Sequence, residues 1–449
     1  MNISPRGAIP AGVSRWKAAS KGTAPRSAKI VLATALISIF LLSAVAAAVV
    51  PHALEDRRAS ENAISMGAVT PPVRPSVGPS SVLPTGPFWI DLPQSTAPSP
   101  RAGAAMAYDE ADGVVVLFGG QSTNLTGGVI VLGGTWIYRA GTWENLTAQL
   151  SSVPAPRTDA AMVYDPVDGY VLLFGGAGGT GGNTPLGDTW VFHDFTWTQL
   201  TPAASPPAAR QPAVAWDEAT GNVLLFGGAT GPNEAVFLNE TWTFLHGTWT
   251  RVSTTGAVPY GRDAAGMAYD ARDHYDVLFG GWNATDRFND TWTYANGTWT
   301  PVSSRSAPSP RLIGGLAYDA QIGSVLTFGG EFRGTFYYDT WTFQGGQWSR
   351  LNPLDVGAPY ARSATAMTYL PEAGALLLFG GETFNSMTLN DTWEFGNLTA
   401  ASGPSPSPAA ASSSDIILDV ALGALVGGVA GAMIVYAWLR HQPSVPGSR

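Results

Sequence analysis

Six arginines are the first candidates for chemistry in this sequence: Arg101, Arg157, Arg210, Arg262, Arg311 and Arg362. Each is followed by a Gly-Gly pair and then, in five cases, by an acid just before a Thr-Trp pair: Asp188, Glu240, Asp290, Asp339 and Asp391. The first repeat has Gly134 at that position. An arginine and a carboxylate at fixed spacing form a two-pronged ion pair, which here would brace each repeat. The other use of such a series is a positive ring that binds an anionic ligand or an acidic peptide. Metal and nucleophile chemistry finds less support. The chain has no cysteine, which excludes thiol nucleophiles and cysteine-ligated zinc. His193, His246 and His274 fall in turns of different repeats, with no ligand spacing between them, and His52 lies apart from the repeats. Gly176-Ala177-Gly178-Gly179-Thr180-Gly181 matches a dinucleotide-binding pattern, but a loop and the strand-like Asp188-Thr189-Trp190 follow where a helix is required. No cofactor is expected.

The elements that position these residues follow from a repeat. The Gly-Gly pairs fall at 119–120, 175–176, 227–228, 280–281, 329–330 and 380–381, and the Thr-Trp tryptophans at Trp136, Trp190, Trp242, Trp292, Trp341 and Trp393. All three series advance by about 50 residues, the period of propeller blades. Each repeat divides into four strands. The first is short and built of small residues, as in Ala104-Ala105-Met106-Ala107-Tyr108. The second is a continuous apolar run ending at the glycines, as expected of a strand buried on both faces. The third carries Thr-Trp, and the fourth carries a second tryptophan: Trp143, Trp197, Trp249, Trp299 or Trp348. Asn296-Gly297 is a type I′ hairpin signal between the third and fourth strands. Blades radiate from an axis, so small residues belong on the inner strand and tryptophans fill the wedge further out.

The sixth repeat lacks its second tryptophan. Phe88-Trp89-Ile90-Asp91-Leu92, upstream of the first repeat, resembles the missing strand and is expected to close the ring. The spacing therefore predicts an all-β, six-bladed propeller of four-stranded blades over 87–398, with the last blade completed by 88–92.

These motifs resemble the kelch-repeat β-propeller family, including the central domain of galactose oxidase-like proteins. The resemblance rests on the Gly-Gly pair and two spaced aromatics per repeat. It implies the fold and little about function, because the fold hosts many functions. The copper-radical site of galactose oxidase-like enzymes needs a cysteine cross-linked to tyrosine, and this chain has none.

Two apolar runs flank the repeats. Residues 30–50 carry no charge and span about 31 Å as a helix. Residues 416–439 form the second segment. The leader, 1–29, is basic without acids, and 440–449 carries Arg440, His441 and Arg449. By the positive-inside rule both tails are cytoplasmic and the repeats lie outside, with both runs as transmembrane helices. The first run also carries small-residue motifs at 44–48 that fit signal-peptide cleavage. Gly423, Gly427 and Gly431 stand at four-residue spacing and would allow close helix packing. The stretches 51–86 and 399–415, rich in Pro, Ser and Ala, read as linkers.

Net charge is −9, with no basic run in the repeats, which argues against nucleic acid. The expected role is a membrane-anchored cell-surface scaffold that binds an envelope protein or glycan and is not an enzyme. A carbohydrate-active kelch enzyme and a purely architectural envelope protein are the alternatives. The loops between second and third strands vary most, and Trp282, Phe332, Phe336 and Phe384 on them are candidate contacts beside the six arginines. Eight Asn-x-Thr sequons are present. Asn124, Asn145, Asn283 and Asn397 are the four that the repeat does not account for, and so the candidate glycosylation sites of an extracellular glycoprotein.

Overall fold

The computed structural model describes residues 87–396, apart from 125–126, 232–233, 314 and 352–357. The two apolar runs, the linkers, Gly423, Gly427, Gly431 and Asn397 lie outside the described residues. Among the described residues no helix is long and apolar enough to cross a membrane.

Six four-stranded antiparallel sheets succeed one another along the chain. In the first, Ala105–Asp109 pairs with Val114–Phe118, then Thr135–Arg139, then Thr142–Asn145. The same order repeats in every blade, and the inner strands of neighbouring blades pack side by side in a closed circle. The sixth blade takes its outer strand from the start of the domain: Phe88–Asp91 pairs with Thr392–Gly396, setting Trp89 opposite Phe395. The closure expected from the sequence is therefore present. The ring is held by one sheet that contains strands from both ends of the domain, so neither end is left free to open it.

The second strand of each blade is the core. Val114–Phe118 is at most 1% exposed along its whole length, which is why its sequence runs apolar rather than alternating. Val171, Val223, Val325 and Leu376 repeat one of these positions in other blades, fully buried. In the fourth blade that position is Asp276, also fully buried, with neither carboxylate oxygen hydrogen-bonded. Burial, then the nearby Asp217 charge, pushes its carboxyl well up, at a position where its sister blades bury a hydrocarbon.

Each outer-strand tryptophan points into the preceding blade and donates Nε1–H to the hydroxyl of the Thr that opens that blade's third strand. Trp143 meets Thr392 at 2.9 Å, Trp197 meets Thr135 at 3.0 Å, and Trp89 meets Thr340 at 3.0 Å. Trp249, Trp299 and Trp348 do the same with Thr189, Thr241 and Thr291. The Thr of the Thr-Trp signature is thus an inter-blade acceptor, and the buried indole keeps its polar atom paired. The turn at Asn296-Gly297 has φ of 49° and 80°, the two positive values of the predicted type I′ hairpin.

Candidate functional site

Strands alternate in direction, so the arginines, the Gly-Gly pairs, the loops between second and third strands, and the blade-to-blade connections share one face. The Gly-Gly pairs lock the blades there. The amide of Gly120 donates to the carbonyl of Arg157 in the next blade at 2.8 Å, and Gly381 does so to Arg101 at 2.9 Å. Gly119 has φ +70°, and a Cβ on it would lie 2.3 Å from the same Arg157 carbonyl. Only glycine fits both the left-handed backbone and the close approach.

Five of the six arginines are sealed inside this lock. Arg101, Arg157, Arg262, Arg311 and Arg362 are at most 3% exposed. In Arg157, Nη1 and Nη2 reach both oxygens of Asp188 at 2.7 Å, Nη1 also reaches the Gly175 carbonyl at 2.9 Å, and Nε reaches the Ala155 carbonyl at 3.0 Å. Arg262–Asp290, Arg311–Asp339 and Arg362–Asp391 repeat the arrangement. Burial pushes the Asp188 carboxyl up. The hydrogen bonds from Arg157 and Trp190, with the Arg157 charge, outweigh it and hold the group below the usual carboxylate range. Arg101, opposite Gly134, has no acid; burial lowers it to about 10, and Ser99 takes the Asp's place at 3.0 Å. These five side chains brace the blades, and they do not form a ring of free positive charge.

Arg210 does not belong to this series. The carbonyl that Gly176 contacts is that of Ala209, so Ala209 holds the arginine position of the third blade and Arg210 sits one residue beyond it. The sequence carried the signal: Arg210 precedes its glycine pair by 17 residues, where every other arginine precedes its own by 18. Displaced by one, its side chain turns to the mouth of the central channel. It reaches Asp159 of the second blade at 2.9 Å and also pairs with Glu234. Glu240, left without the braced partner, turns to the exposed Arg251 at 2.9 Å.

The mouth itself is lined by backbone hydrogen bonds that run from blade to blade. Asp159 donates to Gly103, Gln211 to Asp159, Ala264 to Gln211, Ile313 to Ala264, and Gly103 to Ala364. Asp159, Gln211, Ala264 and Ala364 hold φ between 50° and 60°, an unfavourable backbone for non-glycine residues that these blade-to-blade bonds hold in place. Below them lies a cavity of about 220 Å³ lined by these residues and the inner strands. The charge around the mouth is mainly acidic. Asp159 is pushed up by burial against the pull of Arg210, and Glu382 is pushed up by burial and then by Asp159 and Glu331.

Of the four candidate aromatics, Phe384 alone is well exposed, at 68%. Phe332 and Phe336 are half-buried. So is Trp282, which packs edge-on against Phe237 and carries the Arg287 guanidinium 4.1 Å above its ring. The exposed apolar side chains missed by sequence reasoning include Val129, Ile130, Tyr260, Tyr338, Tyr360 and Met387. They lie on short two-stranded hairpins and blade connections, which project from the packed blades. The hairpins of the first and sixth blades touch: Ser122 and Thr388 hydroxyls are 3.2 Å apart, and Thr123 donates to the Ser386 carbonyl at 3.3 Å. Val129, Ile130, Phe384 and Met387 stand on this pair. Asn124 and Asn145 are exposed, and Asn283 is half-buried with Oδ1 accepting from the Thr285 and Asp286 amides. No group of metal-ligating side chains is found among the described residues.

The opposite mouth, where inner strands turn into second strands, is ringed by Tyr108, Tyr164, Trp216, Tyr269, Tyr318 and Tyr369 around a cavity of about 320 Å³. Each of these sits one residue before the end of its inner strand. The Tyr108 hydroxyl bonds Glu372 of the preceding blade and is pushed up to about 12, by burial first and then by that acid.

Residues 89–245 match the model of the KLHDC2/KLHL20/DRC7 Kelch-repeats domain, a span that covers most of the closing strand, the first two blades and the three inner strands of the third. Among solved structures, one described as "Structure of YjhT" superposes with a TM-score of 0.51 at 17% identity, covering 68% of this chain and 99% of that one. The likeness is one of fold. The protein is a six-bladed propeller, and the matched span of its repeats is similar to a Kelch-repeats domain.

Proposed function

We propose that the protein is a membrane-anchored binding module. In this reading it engages a protein partner outside the membrane through the loop face and performs no catalysis itself. The observation that carries the reading is the one-sided placement of exposed apolar side chains. Nine of the ten large apolar side chains left exposed among the described residues stand on loops and connections of the arginine-bearing face, and only Val167 stands on the other. Exposed apolar groups gathered on one face are what a protein interface uses. The arginines do not compete for this role, since five are buried braces. The basic leader and the two apolar runs of the sequence support the anchored, outward-facing placement.

The test compares the full chain with a Phe384→Ser, Met387→Ser variant in crosslinking and affinity capture from solubilised envelope. The expected result is a partner recovered by the native chain and lost by the variant, with the melting temperature unchanged. A partner held equally by both would remove the hairpin pair from the interface. Protease added to intact cells checks the placement: it should reach the propeller and spare both tails.

A further inference from the structure

The position after the buried arginine is one where the fold asks for a backbone and nothing more. Ala102, Thr158, Arg210, Asp263, Leu312 and Ser363 occupy it, each bridged through its backbone to the residue after its own Gly-Gly pair. Alanine, leucine and serine all serve, so the blade does not need a charge there. The third and fourth blades nonetheless carry Arg210 and Asp263, side by side at the channel mouth.

Asp263 is 1% exposed, and neither carboxylate oxygen has a hydrogen-bond partner within the protein. The charged groups that face it are Glu234 from the third blade's hairpin, Arg210 and Asp159 from the two preceding blade connections, and Arg287 from its own blade's loop. The tips of Arg210 are already engaged by Asp159 and Glu234. Arg287 lies flat on Trp282. A buried carboxylate with two vacant acceptors costs several kcal/mol unless something that donates and is positive completes it. With Glu331 and Glu382 nearby, carboxylates outnumber the two guanidinium groups around this mouth.

We propose that this mouth is a binding site for a primary ammonium group, seated between Asp263, Asp159 and Glu234 and covered in the free protein by Arg210. Arg210 is 19% and Glu234 22% exposed, so they form the outer layer and Asp263 the floor. An ammonium brings three donors to acceptors that the protein leaves open. On entry it takes the place of the Arg210 guanidinium, which swings out to solvent. The site uses the same face as the apolar hairpins but none of their residues, so each can fail without the other.

Titratable behaviour agrees with the geometry. Burial, and then the Glu234 charge, raises Asp263 to about 8. A bound cation favours its ionised form, so binding should release a proton and tighten as pH rises toward 8.

The test titrates the full chain in detergent by calorimetry at pH 7.5. Putrescine is the free-amine probe, Nα-acetyl-lysine methylamide the chain-borne one, and acetate the control anion. Saturable binding of either amine is expected; which one binds tighter tells a free ligand from a partner's lysine. Asp263→Asn should weaken it by about ten- to a hundredfold, the loss of a charge-assisted contact. Asp263→Thr, the residue of the second blade, guards against a folding artefact and should weaken binding equally while the melting temperature stays the same or rises. Arg210→Ala should tighten binding by about tenfold. The proposal is overturned if neither amine binds, if Asp263→Asn leaves binding intact, if acetate binds as well as the amines, or if Arg210→Ala abolishes the site.

Discussion

The second and third blades carry nearly the same residues in nearly the same places, and they use them differently. In the second, Arg157 lies 18 residues before its glycine, is 1% exposed, and grips Asp188 with both prongs. In the third, alanine holds that position, Arg210 follows it, and the same guanidinium reaches Asp159 and Glu234 at the channel mouth. A shift of one residue reverses the direction of a side chain in extended backbone. The comparison teaches that a charge repeated in register is part of the scaffold, and a charge out of register is free for a ligand. Asp276 and Asp263 in the fourth blade are further departures. Each is a buried carboxylate with no hydrogen-bond partner, at positions where sister blades carry Val or Leu and Ala, Thr, Leu or Ser.

The largest effect that would test this division concerns the shared parts. Deleting Phe88 to Leu92 removes the Trp89–Thr340 contact and unpairs the edge of the sixth blade. A loss of about 5 kcal/mol or more is expected, from the buried indole and the exposed ladder together. Denaturant unfolding of native and truncated chains reads it, and a small change would mean that the ring does not depend on its closing strand. Next comes the register itself. Arg262→Ala should cost about 3–5 kcal/mol, because Asp290 and the Gly280 carbonyl lose a buried cation. Arg210→Ala should cost less, about 2 kcal/mol, since Glu234 stays open to water and the buried Asp159 keeps its Gln211 contact and can take up a proton. Equal losses in the two variants would erase the distinction between brace and site.

The smallest effect has the opposite sign. Asp276→Val should stabilise the protein by about 2 kcal/mol, as a buried unpaired polar group is replaced by the residue of four sister blades. Its pKa is raised in the fold, so the folded state holds the proton where the unfolded state has released it. Stability then falls as pH climbs above the ordinary aspartate value of 3.8. Asp263, raised to about 8, extends the decline toward that pH. Melting temperatures from pH 4 to 8 should slope downward in the native chain and less steeply in Asp276→Val; parallel slopes would place the titrating group elsewhere.

Blade number, strand order and ring closure were all legible in the sequence, because each blade must solve the same packing problem and the same residues recur to solve it. Glycine is forced at 119 by a neighbour's carbonyl, tryptophan at 143 by a wedge that only a large ring fills, and Thr392 by that ring's N–H. Such local requirements leave a period that can be read without coordinates. What each arginine does was not legible in the same way. The alternatives of brace and ligand ring use identical residues, and burial decides between them. The neighbourhood of Arg210, Glu234 and Asp263 joins residues of the third and fourth blades that meet only when the two blades pack. The pairing of the first and sixth hairpins, which gathers Val129, Ile130, Phe384 and Met387, likewise needs the two ends of the domain brought together. The sequence by itself determined the blade, since a blade's contacts lie within about 50 residues and repeat. The tertiary structure alone decided the face, because charge and apolar surface there are set by neighbours distant in the chain.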